Sequence, residues 1–259
     1  MNLKKACFLF SNLFIICQTH QLDLNEFFKF ENQPFPPSIS CGGELYSTKK
    51  ADLIALIEDK VEVSSIKPQS DFLVVDGSAL VFSLYPTEIT FGTFAQNTFL
   101  KKIEGFSNSH QRVDIVFDQY NPESLKCFTR QQRGEGVRRK VTPSGKLPRD
   151  WNTFLRNYAN KEELFLLLAD SIYNIQDGIV YATKISSSIC NKIVRDCIPC
   201  DQEEADTRIF IHLKHAIEVD MIKSACVLAN DTDIVVLSIA FFEELKNLGL
   251  EQLWVSFGI

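Results

Sequence analysis

The sequence predicts an α/β fold, a three-layer α/β/α arrangement around a central, mostly parallel sheet. Three observations lead there. Short, largely apolar runs stand at 72–75, 113–117, 179–182 and 225–228, the second broken by Asp114 alone, the pattern of parallel strands covered on both faces. Segments with helical spacing of apolar residues lie between them, as crossover connections require. Several of the runs also end on aspartate, at the point where an open sheet forms its ligand crevice.

Taken in order, residues 1–70 read as an N-terminal extension with a linker. Its punctuation, 32-NQPFPP-37 and then Gly42-Gly43, suits turns and not regular structure. Ser47 can cap a helix that presents Leu53, Ile54, Ile57 and Val61 on one face. A polar stretch over 64–70, with Pro68, closes the extension. The main domain, 71–259, opens on the strand Phe72-Leu-Val-Val75, ending at Asp76-Gly77-Ser78. Ala95, Phe99 and Ile103 follow at helical spacing. The strand 113–117 ends at Asp118, and a basic helical insertion spans about 121–176. Within it, 151–172 is mostly helical, with Trp151, Phe154, Leu155, Leu164, Leu167 and Leu168 on the core face. Asp177-Gly178 turns into the strand 179–182. After Pro199 comes a helix from about 202 to 219, with Ala205, Ile209, Leu213, Ala216 and Ile217 inward. The strand 225–228 runs to Asn230-Asp231-Thr232-Asp233, and 253–257 forms a last strand.

In 259 residues, 45% hydrophobic and 23% charged, there is ample material for a core. The net charge of −6 argues against indiscriminate nucleic-acid binding, but charge is concentrated locally. Between Lys126 and Arg149 stand Lys126, Arg130, Arg133, Arg138, Arg139, Lys140, Lys146 and Arg149, opposed by Glu135 alone. Lys126, Arg130 and Arg133 have the spacing of one helix face, and Arg138-Arg-Lys140 has the form of a nuclear-import or nucleic-acid patch. Taken singly, a charge run of this kind is better read as a solvated cationic surface.

Eight cysteines in a chain this long do not make a small disulfide scaffold. Cys7, Cys17, Cys41, Cys127, Cys190 and Cys226 sit mostly in apolar contexts and read as small buried hydrophobes. That favours a reducing, intracellular compartment, nuclear or cytoplasmic. Lys4 and Lys5 precede an apolar run as in a signal peptide, but Ser11 and Asn12 interrupt it and no small-residue cleavage site follows. No run approaches the roughly 20 apolar residues of a membrane span, so no membrane partner is expected.

The acidic residues carry the chemistry. Asp76, Asp118, Glu204 with Glu203 and Asp206, and the pair Asp231 and Asp233 fall at predicted strand ends or a helix start. In a parallel sheet these ends share one edge. Several carboxylates meeting there would raise one another's pKa unless a divalent cation neutralised them. Mg²⁺ or Mn²⁺ suits a loose set of hard oxygen ligands, and two ions about 4 Å apart can both activate water and stabilise a leaving oxygen. Each acid also has a simpler reading. Asp76 and Asp118 favour turns, Asp201 and Glu204 have capping-box spacing, and acids complement a helix N-terminus. Asp231 with Asp233 fits such a reading least. A zinc site built from Cys197, Cys200, His212 and His215 is unlikely, because both the 11-residue gap and the two-residue His spacing fall below the usual ranges.

Together these segments resemble the PIN-like nuclease fold, in its flap-endonuclease branch. Phe72-Leu-Val-Val-Asp76-Gly-Ser is similar to that family's first strand and first metal carboxylate. Val116-Phe-Asp118, followed by Pro122, Lys126, Arg130 and Arg133, resembles its second strand, second carboxylate and phosphate-contacting basic helix. Glu203-Glu204-Ala205-Asp206 resembles its acidic helix start, Glu204 matching best, and Asp231-Thr-Asp233 resembles its paired aspartates. The chain departs at Gln202, where the family has glutamate, and its helical element that grips duplex DNA would lie beyond residue 259. The resemblance implies metal held by Asp76, Asp118, Glu204, Asp206, Asp231 and Asp233. Lys126 and Arg130 would stabilise the reacting phosphate, and DNA or RNA would lie along 126–149. The alternatives are a catalytically inactive nucleic-acid- or protein-binding module of this fold and, less well matched, a glycosyltransferase with an Asp-x-Asp motif.

Overall fold

In the computed structural model, six strands form a sheet in the order β6-β5-β4-β3-β7-β8. They are β3 (Phe72–Asp76), β4 (Arg112–Val116), β5 (Ile179–Lys184), β6 (Ser187–Cys190), β7 (Ser224–Ala229) and β8 (Gln252–Phe257). The described residues are 3–20, 23, 25, 29, 35–36, 38–47, 49–60, 69–120, 136–192, 195 and 197–257. The chain divides into two units, Met1–Leu56 and Ile57–Ile259. The first contains α1 (Leu3–His20), a two-residue hairpin of β1 (Ser40–Cys41) with β2 (Glu44–Leu45), and most of α2 (Lys50–Glu58). Cys7 and Cys41 are exposed there, against the expectation of burial; Phe8 and Phe10 of the same unit also face outward. Cys127 lies outside the described residues.

The sheet is mixed. Strands β3, β4, β5, β7 and β8 pair in parallel, whereas β6 returns antiparallel on β5. That return strand was not anticipated: Ser-Ser-Ile-Cys carries little apolar signal, and its register is fixed by pairing from Tyr181↔Cys190 to Lys184↔Ser187. The N–H of Ser188 also donates to Ile198 O at 2.9 Å, so β6 is covered on its outer side by the 197–200 segment.

Alternation along β3 builds two cores. Leu73 and Val75 join Val113, Ile115 and Phe117 on one face, under α3 (Gly77–Ser83), α4 (Phe91–Phe94), a π-helical Ala95–Leu100, α5 (Lys101–Ser107), α6 (Trp151–Leu155) and α7 (Tyr158–Ser171). Phe72 and Val74 join Val116 on the other, under α8 (Ala205–Asp220) and α9 (Thr232–Asn247). This is a three-layer α/β/α fold. Each fully buried Phe, Val or Leu contributes about 1.5–3 kcal/mol, and all five residues of β3 are buried. Ile234, Val235, Val236 and Leu237 are β-branched or apolar enough for a strand, yet they wind as the first turns of α9. Asp231 decides this by capping the helix, its side chain accepting the Asp233 N–H. Among the described residues no helix is long and apolar enough to cross a membrane.

Candidate metal centre

Strands β4, β3 and β7 are adjacent and parallel, so their C-terminal ends open on the same edge. Asp76 is the last residue of β3, Asp118 lies two past the end of β4, and Asp231 two past the end of β7. Glycine permits the crowding at the first of these: a Cβ on Gly77 would stand 2.5 Å from the Phe117 ring. Asp76 turns the chain straight into α3, its Oδ1 accepting the Ala79 N–H at 3.0 Å. Asp118 is held from both sides. Its Oδ2 accepts Ser78 Oγ at 3.0 Å and its Oδ1 accepts the Ala205 N–H at 2.9 Å. A backbone bond from Gln119 N to Glu203 O, 2.8 Å, seals the start of α8 against the end of β4.

The helix begins at Ala205, with Glu204 as N-cap, and not near 202 as expected. Asp201 therefore does not cap it, and Asp206 is the acid in the first turn. Asp206, Asp231 and Asp233 offer carboxylate oxygens that all lie within 4.8 Å of one another. Glu204 makes no side-chain capping bond and is outside that trio. The two helices whose first turns supply Asp206 and Asp233 are each 16 residues long, so their dipoles favour negative charge here.

Asp76 has no such support beyond its short α3 cap. It is 8% exposed, and its pKa is pushed up to about 7, first by burial and then by the charges of Asp118 and Asp206. Among the described residues, Asp76, Asp118 and Asp231 accept hydrogen bonds from neutral donors only. A displacement from 3.8 to about 7 corresponds to roughly 4 kcal/mol held against the ionised form. The donor set, oxygen only and partly open to solvent, fits a hard divalent cation.

No family model, curated protein or solved structure matches the chain.

The predicted phosphate-binding residues are placed less completely. Lys126, Arg130 and Arg133 lie outside the described residues. Residues 136–150 are described and contain no helix. Arg138 pairs with Glu163 and donates from Nη1 to Asn160 Oδ1 at 2.9 Å. Arg139 donates from its backbone to the same oxygen at 2.8 Å, and from Nη1 to Lys146 O at 2.8 Å. Both arginines are thus engaged within their own segment and α7, and Lys140 is exposed beside them. Two of the residues considered for zinc have other partners: His212 Nδ1 donates to Asp114 Oδ2 at 2.6 Å, and Cys200 Sγ accepts Arg208 Nε at 3.1 Å.

Reading the sequence missed two buried arginines. Arg112 is 0% exposed and Arg208 is 1% exposed. For Arg112 a signal was available, since Arg112 and Asp114 alternate onto one face of a strand. For Arg208, alone among apolar helix residues, there was none.

Proposed function

We propose that this edge is the Mg²⁺ or Mn²⁺ centre of a nuclease that hydrolyses phosphodiester bonds in DNA or RNA. The observation that carries the reading is Asp76, a carboxyl buried among other carboxylates with no cationic side chain beside it among the described residues. Buried charges are paired or ligate metal. The order of acids along the chain, and the resemblance to PIN-like nucleases, support the choice of chemistry.

In this reading Asp76, Asp118, Asp206, Asp231 and Asp233 hold the metal, directly or through water, with Glu204 beside them. The bound cation would supply Lewis acidity and lower the pKa of an attacking water. The protein's own residues perform the remaining work. Ser78 and the Ala205 N–H fix both oxygens of Asp118, so that carboxylate cannot rotate. Asp231 caps α9 and so sets the direction of Asp233. Lys126 and Arg130 of the basic stretch would meet the phosphate and stabilise charge that develops on it.

The test is the double variant Asp231→Asn with Asp233→Asn, assayed with Mn²⁺ on branched and single-stranded DNA and RNA. Cleavage should disappear, while the melting temperature without metal stays the same or rises, because like charges have been removed. A wild-type chain that binds Mn²⁺ and nucleic acid yet never cleaves would instead be the inactive binding module. A double variant that fails to fold would make the aspartate pair structural.

A further inference from the structure

We infer that Arg208 is the positioning residue of the acidic edge: its buried guanidinium locks the start of α8 to the end of β4, and so sets the distance between Asp206 and Asp118. This rests on the metal-centre reading above.

The geometry is unusual for a buried arginine. All of the partners it has are neutral. Nη1 donates to Phe117 O at 2.7 Å, Nη2 to Cys200 O at 2.7 Å and also to Ile185 O, and Nε to Cys200 Sγ at 3.1 Å. A guanidinium in the interior with no carboxylate among its hydrogen-bond acceptors is costly, and an apolar residue could fill the same space. What the arginine provides is a rigid planar fork that satisfies three chain segments at once. Those segments matter for the site. Phe117 immediately precedes Asp118. Cys200 begins the loop that carries Glu203 and Glu204. Arg208 itself is two residues past Asp206, on the same helix. Ile185, the third anchor, sits at the turn from β5 to β6 with a φ of 55°, so a donor there also holds a strained corner.

The tie is reinforced from the other side by the Ala205 N–H on Asp118 and the Gln119 N–H on Glu203 O. Arg208 and Asp118 line a common cavity of about 40 Å³, together with Thr183 and Ile185, enough for a water molecule. Without Arg208 the carbonyls of Phe117, Cys200 and Ile185 would lose their shared donor, and the tie between Phe117 and α8 would be gone. Asp206 would then move relative to Asp118, and carboxylates misplaced by about 1 Å bind a small octahedral cation poorly.

The experiment compares the full-length wild type with Arg208→Met, Arg208→Lys and Asp206→Asn. It measures Mn²⁺ binding by calorimetry and by the electron paramagnetic resonance spectrum of the bound ion, well below each melting temperature. Arg208→Met should weaken Mn²⁺ binding at least tenfold and broaden the spectrum. Arg208→Lys, which keeps the charge but loses the fork, should recover part of the affinity. A purely structural arginine would lower the melting temperature and leave the affinity of the folded protein unchanged; a folded Arg208→Met with wild-type affinity overturns the inference while the metal centre stands. If wild type binds no Mn²⁺, or Asp206→Asn binds it as wild type does, the metal-centre reading fails and this inference fails with it. Should both Arg208 variants be unfolded, Cys200→Ala decides, since it removes only the Nε acceptor. A severalfold loss of Mn²⁺ affinity supports the tie, and unchanged affinity overturns it.

Discussion

Two buried aspartates in this sheet are treated in opposite ways. Asp114 lies inside β4 and is 0% exposed, yet its pKa is lowered: although burial acts to raise it, Arg112 outweighs burial, with His212 adding to the effect. Arg112 donates to both of its oxygens, at 2.8 and 2.5 Å, and lies 4.2 Å from the Tyr181 ring. Arg112 also reaches Asp220 at 2.7 Å and His215 Nδ1 at 2.9 Å, and Asp220 in turn takes Arg195 at 2.5 Å. Two arginines thus face two aspartates, and the cluster is neutral within itself. Asp76, two residues further along on the neighbouring strand, has among the described residues backbone amides and two more acids near it. Where the fold needs only stability it brings its own counter-ion. Among the described residues Asp76 has no such counter-ion, and the proposed cation would take that part.

The largest effect should come from breaking the self-sufficient cluster. Arg112→Met leaves Asp114 charged, buried and deprived of its main partner, and should cost about 3–5 kcal/mol in urea unfolding. A loss under 1 kcal/mol would mean that Asp114 is not charged in the native state.

Next in size is the opposite change at the deficient end. Because the native state holds the Asp76 proton more tightly than the unfolded chain does, metal-free stability should fall as pH rises from about 4 to about 7. Asp76→Asn keeps a side chain able to cap α3 and should remove this fall, with a gain at pH 8 of at most roughly 4 kcal/mol. Mn²⁺ should restore stability to wild type at pH 8 and leave the variant nearly unmoved. Identical pH profiles for the two proteins would show that Asp76 titrates normally.

The smallest effect returns to the neutral cluster. Burial, then the charge of Arg112, holds the His215 pKa below its ordinary value, and its Nδ1 accepts from that guanidinium. Its contribution is therefore complete above about pH 6.5 and declines as pH falls below that. His215→Gln, which retains an acceptor, should flatten this decline between pH 7 and pH 5. An unchanged slope would place its cause elsewhere.

How much of this was legible follows from what each residue type advertises. Strands β3, β4 and β7 could be read because largely apolar runs have few other uses, and Asp76, Asp118 and Asp231 stood out at the ends of those runs, although each also serves the fold by accepting a backbone N–H at a helix start. The choice between Glu204 and Asp206 was not legible. It depends on where α8 starts, and the shift from 202 to Ala205 comes from hydrogen bonds to Asp118 and Gln119, some 85 positions away in the chain. Strand β6 was missed because pairing, and not composition, makes it a strand. The helical start of α9 was hidden behind β-branched residues that a single cap overrules. Arg208 was invisible because its partners are carbonyl oxygens, which every sequence possesses.

One helix joins the two contrasted regions. The 16 residues of α8 span about 24 Å at 1.5 Å per residue. Asp206 and Arg208 are anchored at one end, His212 and His215 along the middle, and Asp220 at the other. It is a strut bolted down at both extremities. Tilting it to reshape the acidic crevice would pry Asp220 away from Arg112 and Arg195, so the acidic edge takes its rigidity from ion pairs at the far end of this helix.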